Sequence, residues 1–307
     1  MKIPSFCCRI IGTQPGPSVA ILGGTHGDEL TGIEVVKHFL HTFGIEDCSR
    51  GIEVSKEIKG ELLLIFGNPK AIALRQRGTT EGRDLNRYFI DEDLQREPST
   101  EDPYDLVRAR ELAPLLASAD FVFDIHATSA ESPPFIVCGN DSLKHREIFQ
   151  IFPVEYILMD LYNVLAMDEG LKHRATTDAY VEQCGGVAIG YETGKEDDLS
   201  RVIDIVQEMN RALQHVGIFE REAIKIHEAV SQQLYTLTHS IQAKDSYFKY
   251  VQGMDSGWQL VQKGQIIGHY LNGENECAPE QGMLLFPKSP HKIKKDKNLY
   301  YIAKPVI

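Results

Sequence analysis

The sequence predicts an α/β protein whose mixed central sheet is covered by helices and followed by a smaller β-rich region. Through roughly the first two thirds of the chain, short apolar runs alternate with apolar residues spaced three and four apart. This alternation is typical of a sheet with helices on both faces. Beyond about residue 222, Gly, Pro and Asn separate short apolar runs. We therefore predict a first domain over residues 1–222 and a β-rich C-terminal domain over residues 223–307.

The individual elements follow from apolar runs bounded by glycines and from helical periodicity. The predicted strands of the first domain are Ser18–Leu22, Glu61–Phe66, Phe121–Ile125 and Val187–Tyr191. The predicted helices are Glu29–Phe43, Asp105–Ser118 and Leu199–Val216. Because proline lacks a backbone N–H, Pro114 is expected to kink or shorten the second helix. In the C-terminal domain the short apolar runs are Gln265–Tyr270, Met283–Phe286 and Leu299–Ala303.

Composition excludes several classes of protein. The 307 residues include 44 acidic and 32 basic side chains, giving a net charge of -12, so we expect no nucleic-acid partner. The six cysteines form no CxxC pair, which argues against a disulfide framework. No apolar run approaches the roughly 20 residues of a membrane span, and the N-terminal residues resemble no secretory signal. We expect a cytoplasmic protein that does not bind membranes. The sequence does not decide whether the chain forms a homo-oligomer.

A glycine-rich turn between the first strand and the first helix contains two potential metal ligands. His26 and Glu29 are three residues apart in the segment GGTHGDE, where the strand ends. Ligands of α/β sheets bind beyond the carboxyl ends of strands, and an imidazole with a carboxylate suits Zn²⁺. Taken alone, the pair is more typical of a polar turn in which Glu29 faces the positive end of the helix dipole.

Two further strand ends have polar side chains that belong to the same edge of the predicted sheet. His126 follows the apolar strand Phe121–Ile125, in which Asp124 is the polar exception. Glu192 follows the strand Val187–Tyr191 beside a glycine. A third ligand at His126 would leave one zinc position for water, and a nearby carboxylate could move that water's proton. The alternatives are a capped strand end for His126 and a solvated loop glutamate for Glu192.

An arginine-rich loop after the second strand is a candidate for substrate binding. Arg77 and the segment Arg83–Arg87 follow Gly67, and guanidinium groups bind carboxylates bidentately. This loop could overhang the same sheet edge. A surface ion-pair loop is the alternative, and it is the preferred interpretation for Arg75 and Arg83.

These segments resemble the aspartoacylase and succinylglutamate desuccinylase family, which is related to the zinc carboxypeptidases. The matching blocks are GGTHGDELTG at 23–32, GNPKA at 67–71, DLNRYF at 84–89, DIHAT at 124–128 and YETG at 191–194. They follow the order of the family and span most of the first two hundred residues. The C-terminal segment Gly282–Pro287 is similar to the second domain of the family, though less closely.

The resemblance implies one zinc ion per chain, with His26, Glu29 and His126 as its ligands. It also implies Glu192 as the general acid and base, and Arg77 as the group that polarises the scissile carbonyl.

For substrate binding, the resemblance implies that Asn86 and Arg87 bind a carboxylate of a small-molecule substrate. The arginine that precedes the catalytic glutamate in animal aspartoacylases has no counterpart at Tyr180–Gln183. Arg174 is the nearest cation and becomes the candidate for that role. This departure argues against N-acetylaspartate as the substrate.

The predicted function is therefore a zinc-dependent amidohydrolase that cleaves the amide bond of an N-acyl amino acid. A carboxypeptidase or amidase that acts on small peptides remains an alternative within the same chemistry. A zinc-binding paralogue without catalysis is a second alternative, although a protein that only binds zinc does not need Glu192. A nucleotide-binding protein is disfavoured, because the glycine segment matches neither GxGxxG nor a P-loop.

Overall fold

A mixed β-sheet with helices on both faces forms the centre of the molecule, as the sequence predicts. The structure is a computed structural model and describes residues 3–46, 48, 51–79, 83–159, 175–220 and 230–306. Alternate residues of the first strand point into two separate cores. Val19 and Ile21 pack with one set of helices, whereas Ala20 and Leu22 pack with the other. Successive side chains of a strand point to opposite faces of the sheet, which explains why they enter different cores.

The strands and helices of the first 220 residues agree with most of the predicted elements. The strands are β1 Cys7–Gly23, β2 Ile52–Phe66, β3 Phe121–Thr128, β4 Phe135–Cys138, β5 Tyr156–Met159 and β6 Val187–Lys195. The helices are α1 Leu30–Thr42, α2 Pro69–Leu74, α3 Asp91–Leu94, α4 Tyr104–Ala117, α5 Leu143–Phe149, α6 Thr177–Gln183 and α7 Val202–Val216. Helix α4 accommodates Pro114 without ending there. A 3₁₀ turn spans Leu85–Arg87.

Parallel pairing brings the carboxyl ends of three strands to one edge of the sheet. β1 lies between β2 and β3, and β3 lies next to β6, all in parallel. β4 then pairs antiparallel with β6 and parallel with β5. Side chains that follow β1 and those near the carboxyl ends of β3 and β6 therefore lie close together.

The strands after residue 230 are divided between the central sheet and a second, three-stranded sheet. Their bounds are β7 Gln233–Gln242, β8 Phe248–Tyr250, β9 Gln259–Val261, β10 Ile266–Tyr270, β11 Asn275–Cys277, β12 Gly282–Leu285 and β13 Asn298–Pro305. β7 pairs in parallel with β5, so that β7, β13, β12 and β9 extend the central sheet. β11, β10 and β8 form the second sheet.

The division at residue 222 stays a prediction, since residues 221–229 lie outside the described part of the chain. Among the residues that the structure describes, no helix has both the length and the apolar composition needed to span a membrane. The cytoplasmic location also stays a prediction.

A close backbone approach between β1 and α1 yields a stability prediction. A Cβ atom at Gly23 would lie 2.0 Å from the carbonyl oxygen of Gly32, whereas one at Gly190 would meet Val137 Cβ at 3.6 Å. We expect Gly23→Ala to lower the free energy of unfolding by about 1–3 kcal/mol or more, because helix and strand must separate. Gly190→Ala, the matched control in a buried strand, should change it by less than about 1 kcal/mol. Urea denaturation measures both values, and equal midpoints for the two variants would contradict the prediction.

Candidate functional site

His26, Glu29 and His126 come together at the carboxyl edge of the parallel strands. His26 lies in the turn after β1, Glu29 caps α1, and His126 lies in β3. The Nδ1 atom of His26 is 2.7 Å from Glu29 Oε1, and that of His126 is 3.0 Å from Glu29 Oε2. One ligand atom from each residue lies within 4.8 Å of the others, and all three side chains are buried. This group could therefore hold a metal ion.

The outer nitrogens of both imidazoles face carboxylates, which is the arrangement expected around a metal. His26 Nε2 lies 3.5 Å from Asp84 Oδ1, and His126 Nε2 lies 3.1 Å from Asp124 Oδ2. Such carboxylate partners orient histidine ligands and fix their tautomers. The chemistry of the donor set, two Nδ1 atoms and one carboxylate, thus fits a transition-metal cation.

Asp124 is itself held by two hydroxyl groups. Thr25 Oγ1 donates to Asp124 Oδ1 at 2.7 Å, and Thr177 Oγ1 donates to Asp124 Oδ2 at 2.6 Å. Thr25 precedes His26, and Thr177 begins α6. The orientation of His126 therefore depends on segments from three parts of the chain.

Glu192 stands beside His126 on the neighbouring strand. The parallel register of β3 and β6 pairs the two residues directly. Burial raises the pKa of Glu192 to about 7, although the nearby His126 opposes the shift. A cation at the neighbouring group would also oppose it, because it favours the carboxylate. Glu192 Oε2 is buried without a hydrogen-bond partner among the described residues, so this atom remains available for a proton-transfer role.

Arg77 reaches the same group from the loop after α2. Its Nε donates to Asp84 Oδ2 at 2.7 Å, and its Nη1 lies 3.7 Å from Glu29 Oε1. The side chain is 48% exposed, so its outer face can meet a molecule that enters from solvent. Burial would raise the pKa of Asp84, but Arg77 and then Arg87 hold it well below its usual range. Asp84 is thus an anion that holds the Arg77 guanidinium and lies beside His26.

Asn86 and Arg87 lie in the 3₁₀ turn that follows Asp84, and both are buried. Asn86 Oδ1 accepts a hydrogen bond from the backbone N–H of Thr177 at 2.8 Å. Arg87 Nη1 donates to the backbone oxygen of Asn86 at 2.9 Å. Arg174, the other predicted substrate-binding residue, lies outside the described residues.

Several residues of the site were not singled out from the sequence. Asp84 lies within the quoted DLNRYF block, which was the available signal for it. No feature of the sequence indicated that Thr177 belongs to the site. Lys292 donates to Asp28 Oδ2 at 3.0 Å and to Glu196 Oε2 at 2.6 Å. These contacts join a C-terminal segment to the turn that contains His26. No local pattern links Lys292 to a turn so far away in the sequence.

A mixed α/β sheet with a buried His–Glu–His group beyond its parallel strands defines an α/β protein with a potential metal site. The model of one family, described as the succinylglutamate desuccinylase/aspartoacylase catalytic domain, matches residues 15–218. The chain belongs to this family, as the sequence motifs predict.

Two curated relatives show how far the similarity extends. The aspartoacylase of Rattus norvegicus is 30% identical over 211 residues, which cover 67% of this chain and 63% of the relative. The N-acyl-aromatic-L-amino acid amidohydrolase (carboxylate-forming) of Homo sapiens is 27% identical over 198 residues, which cover 62% of this chain and 57% of the relative. The chain therefore matches less than two thirds of the length of either relative.

Solved structures show the same fold over nearly the whole chain. The succinylglutamate desuccinylase/aspartoacylase from Rhodobacter sphaeroides superimposes with a TM-score of 0.72 and 18% identity, covering 97% of this chain and 88% of that one. Murine aminoacylase 3 gives a TM-score of 0.67 and 17% identity, covering 95% and 97%. At these identities the comparison establishes the fold, which agrees with the mixed α/β architecture predicted for the chain.

Proposed function

We propose that this protein is a zinc-dependent amidohydrolase that cleaves the amide bond of an N-acyl amino acid. The observation that supports this most strongly is the convergence of two imidazole Nδ1 atoms on the Glu29 carboxylate, with Glu192 directly beside them. Two histidines and one glutamate form a ligand set that catalytic zinc uses, with a fourth position left for water or substrate. Relatives named as aspartoacylase and amidohydrolase support the same class of reaction.

His26, Glu29 and His126 would hold the zinc ion. When bound, zinc supplies Lewis-acid activation of a water molecule and of the scissile carbonyl. Glu192 accepts a proton from the attacking water and returns it to the leaving nitrogen. Arg77 donates hydrogen bonds to the carbonyl oxygen as negative charge develops there, and Asp84 holds its guanidinium in place.

Asn86 and Arg87 bind the α-carboxylate of the amino-acid part of the substrate in this proposal. Arg87 is 7% exposed, and in a site withdrawn from water a guanidinium attracts a substrate carboxylate more strongly than it would in solvent. A planar guanidinium also matches a carboxylate bidentately. The substrate is therefore a small molecule with a free carboxylate next to the cleaved amide.

A hydrolysis panel tests both the reaction and the role of Arg87. Neutral N-acetyl amino acids should be cleaved, and their α-amides should lose about two or more decades of kcat/KM, because an amide cannot form the charge-assisted pair with Arg87, a loss of about 2–5 kcal/mol. Arg87→Ala should erase this difference between acids and amides. Arg75→Ala, which removes an exposed arginine of the preceding segment, is the control.

The comparison of substrates separates the proposal from its rivals. Dipeptides cleaved faster than N-acyl amino acids would indicate a peptidase. No cleavage of any substrate by the zinc-loaded protein would indicate a binding protein. A strong preference for N-acetylaspartate, with Arg87→Ala harmless, would show that the substrate carboxylate is bound elsewhere, and Arg174 would be the first residue to replace.

A further inference from the structure

A second group of metal-ligating side chains lies apart from the candidate active site. It consists of Cys138 at the end of β4, His145 on α5 and Glu182 on α6. One potential ligand atom from each residue lies within 4.8 Å of the other two. The three residues come from separate elements and share no member with the His26–Glu29–His126 group.

The side chains of this Cys138–His145–Glu182 group are largely withdrawn from solvent and lie close together, and the Cys138 thiol also contacts the backbone oxygens of Asn140 and Ala188 at 3.1 and 3.4 Å. His145 is 3% exposed and Cys138 is fully buried. Cys138 Sγ and His145 Nε2 each lie 3.6 Å from Glu182 Oε1. His145 Nε2 is buried and has no hydrogen-bond partner among the described residues. An unpartnered imidazole nitrogen that faces a thiol and a carboxylate points to a ligand.

The outer ring nitrogen of His145 is already fixed, as in a metal-bound histidine. The hydroxyl of Ser142 lies 2.8 Å from His145 Nδ1, and the backbone N–H of Ser142 donates to Asn140 Oδ1 at 3.0 Å. This contact holds the ring so that Nε2 faces Glu182. A partner on the second nitrogen is the usual device that orients histidine ligands.

We propose that Cys138, His145 and Glu182 bind a second divalent transition cation, with zinc as the natural occupant. Sulfur, imidazole nitrogen and carboxylate oxygen are donors that zinc and cobalt both accept. Binding displaces the thiol proton of Cys138 to solvent, since the thiolate is the ligand. Three protein ligands leave one position of a tetrahedral zinc site for water.

The position of this site assigns it a structural role. A cation there joins β4 and α5 to α6, the helix from which Thr177 donates to Asp124. Asp124 in turn contacts His126 Nε2 at 3.1 Å. The second cation thus holds the helix that orients a ligand of the first site.

Cobalt substitution of the full-length protein tests the proposal, because a thiolate ligand gives a near-ultraviolet charge-transfer absorption. The first site has no cysteine, so this absorption reports the second site alone. We expect two cobalt ions per chain and the thiolate band in protein kept reduced with a phosphine. Cys138→Ser should lose the band and one cobalt. Cys184→Ser, which changes an exposed cysteine, should lose neither.

Two further variants keep the test decisive. The double variant His26→Ala/His126→Ala should keep the band, because only the first site is lost. Glu182→Gln should weaken or abolish the band if Cys138→Ser fails to fold. One cobalt ion per chain without a thiolate band would overturn the proposal, as would a band that persists in Cys138→Ser. Neither result depends on hydrolysis, so the proposal of a second metal site and the proposed reaction can be contradicted independently of each other.

Discussion

Replacement of Glu192 with glutamine is expected to lower kcat by on the order of 10²–10⁴, because general acid–base catalysis commonly contributes that much. Glutamine keeps the size of the side chain and removes the carboxylate that accepts the proton. It also cannot return a proton to the leaving nitrogen. Both half-steps of the reaction are therefore impaired by one change.

The same variant should keep its fold and its metal. Glu192 is not a member of the His26–Glu29–His126 group, and its Oε2 has no hydrogen-bond partner among the described residues to lose. Steady-state kinetics on an N-acyl amino acid, together with zinc analysis, makes the measurement. Glu131→Gln, with a side chain 72% exposed, is the matched control and should leave kcat unchanged. Activity of Glu192→Gln within about twofold of the parent would remove Glu192 from the mechanism.

The double variant His26→Ala/His126→Ala is expected to lose one equivalent of zinc per chain and all measurable hydrolysis. Two of three ligands disappear, and Glu29 alone cannot hold the ion in competition with water. Loss of even an outer partner of a ligand costs about 10–100-fold in metal affinity, so loss of the ligands costs more.

A graded series sharpens this test. Asp124→Asn, which changes the partner of His126 Nε2, should weaken zinc binding by about 10–100-fold without abolishing it. His41→Ala, at the exposed end of α1, should leave zinc content unchanged. Zinc content by mass spectrometry, after dialysis against a chelator series, gives the order of affinities. Full retention of zinc by the double variant would show that the ligands were wrongly assigned.

The positions of the central strands could be predicted from the sequence, since the predicted strands Ser18–Leu22, Phe121–Ile125 and Val187–Tyr191 lie within β1, β3 and β6. Their ends could not, because β3 continues to Thr128 and β6 to Lys195, so that His126 and Glu192 lie within strands and not after them. Parallel strands place their carboxyl ends at one edge, which is why residues separated by a hundred positions could be expected to meet. Glu29 follows from its spacing to His26 at the start of a helix. Local periodicity and motif spacing contain all of this information.

Only the tertiary structure decided which side chains surround these residues. Asp84 lies between Arg77 and His26, and Thr177 bonds to Asp124, through packing of a loop and a helix that no local pattern specifies. The antiparallel direction of β4 likewise has no signature in so short a strand.

The same limit applies to the most distant contacts. Lys292 contacts Asp28 from the far end of the chain, and the Cys138–His145–Glu182 group is assembled from three residues without a shared motif. The spacing of apolar residues shows which face of a helix or strand is buried, because that spacing depends only on the backbone repeat of the segment. Contacts between segments depend on how those faces pack against each other, and the packing exists only in the folded chain.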